Sequence, residues 1–518
     1  MTNGSQKLAT SHEGEQRTIN EATPLLAASP VAPEADSEVA EATAAAAPLL
    51  PTTTKPAEEE DKPLPKRQIF LLCYARLVEP IAFFSIIPYI NQMVRENGHL
   101  PYTDVGFYSG LIESLFSLTQ MVVMMFWGRA ADRVGRKPVL VFSLVGVSIA
   151  TSLFGFARSV WQMILFRCIA GVFAGTIVTI RTMIGEHSTS KTQARSFSRF
   201  AFVGNLGIFV GTLIGGSLAD PAGQYPWAFG GVRFFEEYPY ALSNLVVGCI
   251  GLTAVVTSAL FVEETLPEEL KRKRTGRCAG GDDEAGDDTA TKPKPHSTWE
   301  LLKTSGVAIV LYNYGHVMLL AFAYTAVVPV FWSTPPELGG LGFSPLQISL
   351  FMGLTGLSQA IWLLLVFPPL QHRLGTNGVM RACGVAYPFF MAVMPLANSI
   401  LRQDTPAAQT TFWVLVPICL VLGPGVSMAF TAAQLALNDV SPSPESLSTL
   451  NALALTGTSA LRSFSPALFS SLFAIGARSQ FLWGYLIWVI LTVLALGFTV
   501  STRYLPAASE KKPEDGHN

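Results

Sequence analysis

Apolar residues are gathered along this chain into long runs with few charges, separated by short polar breaks. The runs lie near 69–91, 105–127, 138–157, 160–183, 197–219, 239–261, 305–332, 345–367, 380–398, 411–437, 448–474 and 480–501. A helix needs about 20 apolar residues to cross the hydrocarbon of a bilayer, and each run is close to that length. The pattern therefore predicts an all-α membrane protein with twelve transmembrane helices, numbered here spans 1 to 12. Six runs precede a hydrophilic stretch at 263–303 and six follow it, a plan that points to two pseudo-symmetric six-helix halves, 67–262 and 304–502. Tails at 1–66 and 503–518 flank them.

The charges sharpen this division. Of 37 acidic residues, 21 fall in 1–66 and 263–300, so the tail and the linker read as solvated and the N-tail as disordered. Lys and Arg concentrate in two short loops: Arg129, Arg133, Arg136 and Lys137 after span 2, and Lys191, Arg195 and Arg199 after span 4. The positive-inside rule places those loops, the linker and both tails in the cytosol. A net charge of -2 with no basic stripe gives nucleic acid nothing to bind. The six cysteines are scattered singly, so neither a disulfide framework nor a metal site is expected. No nucleophile–base pair or nucleotide loop is visible, so neither an enzyme nor a resident cofactor is expected.

Several polar residues fall inside the apolar runs, where a charge costs about 2.5–3.5 kcal/mol on insertion scales and needs a partner or a wet cavity. Span 1 carries Arg76 and Glu79 on one helix face, followed by Pro80. Glu79 is either a proton carrier or half of a static ion pair with Arg76. Span 2 carries Glu113, with Gln120 seven residues on; Glu113 is the second proton-coupling candidate. Span 4 carries Arg167. In the second half His316, Gln359, Asp439 and Arg462 stand out, His316 being either a substrate or proton ligand or a residue that simply bonds a neighbouring carbonyl.

Three motifs carry a family signal. Gly128-Arg129-Ala130-Ala131-Asp132-Arg133-Val134-Gly135-Arg136-Lys137 fills every fixed position of G-x-x-x-D-R-x-G-R-K. Arg167, Gly171 and Gly175 follow R-x-x-x-G-x-x-x-G, and Gly207, Gly211, Gly215 and Gly216 follow G-x-x-x-G-P-x-x-G-G except that Thr212 replaces the proline. On these residues the chain, over roughly 66–505, resembles the major facilitator superfamily and most closely its fungal twelve-span drug:proton antiporter branch. The resemblance implies that Gly128, Asp132, Arg133, Gly135, Arg136 and Lys137 form a gating loop and that the span 4 and span 5 glycines are helix-packing positions. A fainter echo, Arg373-Leu374-Gly375, repeats Arg133-Val134-Gly135 at the corresponding place in the second half.

The expected function is secondary transport of a small organic solute, a drug-like compound or secondary metabolite, by alternating access. Export driven by the proton gradient is expected, through a monomer in the plasma or vacuolar membrane. An importer or facilitator of a nutrient or metal complex, and a non-transporting solute sensor, are the alternatives. Glu21-Ala22-Thr23-Pro24-Leu25-Leu26 fits an acidic dileucine sorting pattern, which bears on the choice of membrane.

Overall fold

The computed structural model describes residues 65–266 and 303–506, apart from 189, 305, 442 and 443. The N-tail, most of the linker and the end of the C-tail lie outside the described residues. All regular structure among the described residues is helical, and it supplies twelve passes. The first half runs Lys66–Phe84 with Ile90–Gly98, Tyr102–Val134, Arg136–Phe154, Val160–Phe173 with Thr176–His187, Ser190–Leu218 and Ala241–Phe261. The second runs Val307–Ser333, Pro345–Ile361, Phe367–Leu401, Pro406–Leu422 with Met428–Asp439, Pro444–Ser479 and Leu486–Ser501. Nine helical stretches among the described residues are long and apolar enough to span a membrane, and one of them, Pro345–Leu401, holds spans 8 and 9 joined end to end. The two passes outside that set are span 1, charged by Arg76 and Glu79, and span 5, apolar over Phe202–Leu218.

Local chemistry sets the helix starts. Ser159 opens span 4 by accepting from the Gln162 amide at 3.3 Å, and Thr405 opens span 10 by accepting from Ala408 at 3.2 Å. Ser344 and Gln347 close a capping box ahead of span 8, with Pro345 in the first turn. Spans 2 and 3 are separated by one residue, Gly135, at φ +125° and ψ 153°; spans 8 and 9 are separated by Gly375, at φ +70° and ψ 168°. Both lie in a region that a Cβ effectively forbids. The segment expected as a loop at 128–137 is thus helical up to Val134, because Arg, Ala and Val continue the helix past the apolar run and only the glycine stops it.

Spans 4 and 10 are both broken, at Ala174–Gly175 and at a 3-10 turn over Gly423–Ser427. Each break frees carbonyls that the hydrocarbon cannot solvate. A tryptophan from the neighbouring helix satisfies one in each half: Trp127 Nε1 of span 2 donates to the Val172 carbonyl at 2.6 Å, and Trp362 Nε1 at the end of span 8 donates to Val421 at 2.9 Å. Gly175 and Gly425 admit those rings, since a Cβ would come within 2.5 Å of Trp127 and 3.0 Å of Trp362. The internal repeat is therefore present as matched breaks and matched donors.

The sequence's glycine motifs are contact surfaces. Gly171 lies against the Phe116 carbonyl of span 2, while Gly207, Gly211 and Gly215 lie against Pro80, Ile81 and Ser85 of span 1. Gly216 instead meets Ser349 and Pro345 of span 8, across the two halves. Gly106 and Gly110 of span 2 press on Ser470 and Pro466 of span 11, and Ser114 Oγ accepts from the Ala467 amide at 2.9 Å. The halves therefore close together at the end where spans 2 and 8 begin.

Gly215→Ala places a methyl inside the Ser85 carbonyl, so we expect a loss of about 1–3 kcal/mol, the usual cost of overpacking. Gly315→Ala, inside the span 7 helix with nothing within 4 Å of the added methyl, should not lower the melting temperature of the detergent-solubilised protein and should raise it slightly, by the helix preference of alanine over glycine.

Candidate functional site

Spans 1, 2, 7 and 11 line a small, partly open cavity. Phe83 enters it from span 1, Glu113 and Ser117 from span 2, Phe322 and Thr325 from span 7, and Arg462 from span 11. Both halves contribute, so a solute held here touches both moving parts. The Arg462 guanidinium sits 5.1 Å from the centre of the Phe83 ring, and that of Arg167, from span 4, sits 5.0 Å from the same ring and 4.4 Å from Phe116. A cation over a desolvated ring gains up to about 2 kcal/mol, which offsets much of the cost of placing it in the membrane. Arg167 is only 4% exposed, yet its Nε and Nη2 find no hydrogen-bond acceptor. Glu113 lies within the field of both arginines.

Glu79 occupies a different environment. It is 3% exposed, accepts from Gln120 Nε2 at 2.9 Å and from Thr176 Oγ1 at 2.5 Å, and ties span 1 to span 2 and to the second piece of span 4. Gln120 also donates to the Ala174 carbonyl at 3.3 Å, at the break itself. Arg76 does not pair with it. Its guanidinium packs 5.0 Å over Phe200 of span 5, 1% exposed, with none of its three nitrogens hydrogen-bonded. Of the two readings of the Arg76–Glu79 spacing, the static ion pair is thus not formed.

His316 faces span 12, where its Nε2 lies 2.9 Å from the Leu494 carbonyl and its ring packs on Phe498. It is outside the cavity lining, in the bland role that the sequence left open. Gln359 is half-buried on span 8, and Asp439 is exposed at the end of span 10.

At the Gly135 turn, Glu264 from just beyond span 6 accepts from the amides of Arg136 at 2.9 Å and Lys137 at 3.2 Å. It caps span 3 from 128 residues away, and a carboxylate at a helix N-terminus also meets the positive end of the dipole. Arg136 reaches Glu186 of span 4 at 3.4 Å, and Thr265 donates to the same carboxylate. Gly128 is buried and Arg133 exposed; the Asp132 side chain lies outside the described residues. The second half repeats the tie in weaker form: Asn377, just after Gly375, donates to the Pro506 carbonyl beyond span 12 at 2.7 Å, over 129 residues.

A sequence profile of the major facilitator superfamily matches residues 72–466. The chain belongs to the major facilitator superfamily. It is accordingly a multi-pass integral membrane protein, and its twelve passes are the facilitator fold. It is 46% identical over 468 residues to the efflux pump azaK of Aspergillus niger, covering 90% of this chain and 93% of that protein. It is 28% identical to the major facilitator superfamily multidrug transporter mfsB of Aspergillus fumigatus, covering 80% of each. The crystal structure of a D-xylose–proton symporter aligns with a TM-score of 0.62 at 11% identity, over 87% of this chain and all of that one, which shows the facilitator fold alone.

Within this facilitator, the structure gathers Glu113 and Arg462 in the cavity lining, packs Arg167 on the Phe83 and Phe116 rings, and sets Arg76, Glu79 and Gln120 apart. Sequence reasoning missed Phe83, Thr176 and Glu264. Phe83 is one apolar residue in an apolar run and carries no local signal. Thr176 directly follows the Gly175 motif position, and Glu264 stands where the linker's acidic run begins; both were readable only as neighbours of something else.

Trp127→Phe should cost about 0.6 kcal/mol, and at most about 1.7, the range for hydrogen bonds between membrane helices, and Trp362→Phe should cost less, because Ser358 Oγ also donates to the Val421 carbonyl. Because the sites are in different halves, the double variant should be additive within about 0.5 kcal/mol. Trp413→Phe, a half-exposed ring, is the control, and denaturant unfolding in detergent is the measurement.

Proposed function

We propose that this facilitator exports a small organic solute, a drug-like compound or secondary metabolite, in exchange for protons. Glu113 carries the proton. The observation behind this reading is the position of Glu113: it is a carboxylate lining a cavity shared by both halves, together with Arg462. A carboxylate there changes the charge of the cavity when it titrates, and so can couple proton and solute occupancy to which side is open. Glu79, held by Gln120 and Thr176, serves instead to register spans 1, 2 and 4. The efflux direction is supported by the name of the Aspergillus niger relative. One charge crossing 100 mV supplies about 2.3 kcal/mol, enough to concentrate a solute about fiftyfold.

The basic residues around Gly135 support a cytosolic location for that turn and for both tails. With that orientation, the close contacts of Gly106, Gly110 and Gly216 lie at the outer end, so the halves are closed to the outside. The Gly135 turn, held by Glu264 and Glu186, would then serve as the latch on the inner side. One chain contains both halves and the whole cavity, which fits a working monomer in the plasma or vacuolar membrane.

Untargeted mass spectrometry of cells and medium, with and without the gene, should show a compound retained in deleted cells and missing from their medium. In proteoliposomes, flux of that compound driven by an imposed pH gradient should fall at least tenfold in Glu113→Gln, while solute exchange without a gradient persists. Unchanged proton driving in that variant would move the role to Glu79. Depletion from deleted cells instead would make the protein an importer, and saturable binding without flux would make it a sensor.

A further inference from the structure

The end of the molecule where spans 2 and 8 begin carries two aromatic loops at corresponding places in the halves. One, residues 220–239, joins spans 5 and 6, and the other, residues 480–485, joins spans 11 and 12. Neither contributes to the cavity lining.

The first loop holds Tyr225, Trp227, Phe229, Phe234, Phe235 and Tyr238. It is compact: the Asp220 amide donates to the Pro239 carbonyl at 2.9 Å and so ties its ends together. Phe234 and Tyr238 pack on Phe156, just beyond span 3, with ring centres 6.2 and 5.4 Å away. Trp227 is nevertheless 87% exposed, and Trp161, in the first turn of span 4, is 79% exposed. Span 3 takes 19 residues from Arg136 to Phe154. At about 1.5 Å each they rise about 28 Å, close to the hydrocarbon thickness of about 30 Å. Phe156 and the rings stacked on it therefore stand at head-group level. Phe142, Ile149 and Leu153, exposed along one face of span 3, precede Phe156 at helical spacing, so the loop continues a surface that already faces lipid.

The second loop presents Phe481, Leu482 and Trp483, the last 72% exposed. Gln480, Leu482 and Trp483 lie at φ +51°, +53° and +57°, a left-handed conformation that L residues avoid. Arg402, from the end of span 9, holds them there: its Nη2 donates to the carbonyls of Trp483 at 3.1 Å and Glu337 at 3.0 Å, and its Nε to that of Pro336 at 2.8 Å. The turn thus displays three large apolar side chains on the surface. Val489, Val493, Leu496 and Val500 form the exposed face of span 12 directly after it.

Water is a poor environment for such rings, and hydrocarbon a poor one for the open turns and charges beside them; the head-group layer accepts both. We propose that both loops lie in the head-group layer of one leaflet as aromatic moorings, one for each half. The partner is a zwitterionic lipid surface. In the first loop Arg158 pairs with Glu237 and lies 4.5 Å over the Tyr238 ring, and Arg233 offsets Glu236; residues 480–485 carry no charge. The two halves then rock between moored loops, and neither loop is a lid over the cavity. This proposal depends on neither the substrate nor the proton.

The test uses the full-length protein with fluorotryptophan at every tryptophan, in phosphatidylcholine nanodiscs. The fluorine resonances of Trp227 and Trp483 are identified by their loss in Trp227→Phe and Trp483→Phe, which alter only exposed rings. A nitroxide on the lipid head group should broaden both resonances at least twofold more than the same amount of nitroxide at the chain end. Replacing part of the phosphatidylcholine by phosphatidylglycerol should leave that ratio unchanged. Broadening by a water-soluble gadolinium chelate without broadening by the head-group label would place the rings in water and overturn the proposal. Protection from all three reagents would place them in a protein contact, such as a second copy of the chain, and would overturn it equally. So would a stronger effect from the chain-end label, or head-group contact that appears only with phosphatidylglycerol.

Discussion

A helix broken inside hydrocarbon needs a donor for each carbonyl that the break sets free, and the architecture of this transporter follows from how that demand is met. Spans 4 and 10 break at corresponding places, and a tryptophan from a neighbouring helix binds a freed carbonyl in each: Trp127 on Val172 and Trp362 on Val421. In span 4 Gln120 serves the Ala174 carbonyl while also holding Glu79. The broken helix thus fixes where the carboxylate of span 1 points. That in turn leaves Arg76 to pack on Phe200 and leaves Glu113 as the carboxylate of the cavity. The sites of charge are set by a backbone requirement.

Close packing supplies the second constraint. Lipid tails are as apolar as leucine, so helices in a membrane associate by contact and hydrogen bonding more than by hydrophobic expulsion. Gly207, Gly211 and Gly215 bring span 5 onto span 1, while Gly106, Gly110 and Gly216 bring the two halves together at one end. Thr212, standing where the antiporter pattern has proline, bonds the Ile208 and Phe209 carbonyls at 3.1 and 3.0 Å. It keeps the helix continuous at a point where proline would have opened it.

Legibility in the sequence depended on whether a feature was local. Twelve passes were readable because twenty apolar residues in a row have few other fates, although the ends moved: the helix of span 2 continues to Val134, and spans 8 and 9 join at Gly375. The faint Arg-x-Gly echo at 373–375 proved structurally meaningful, because two glycines in similar conformations turn the chain in both halves. Arg76 and Glu79 illustrate the opposite case. Their three-residue spacing is compatible with an ion pair, and competition from Gln120, Thr176 and Phe200 on other helices decides against it. Sequence separation hid that competition, as it hid Glu264 capping span 3.

The sequence by itself determined the solvent in which this protein folds, the number of passes, the glycine faces and the short list of buried charges, because each follows from composition or from spacing within one helix. Only the tertiary structure decided which of those charges share a cavity. Glu113, Arg462 and Phe83 come from three helices, and Arg167, from a fourth, completes the set. Their relation is fixed by how the helices cross, and no periodicity within a single span encodes a distance between two of them.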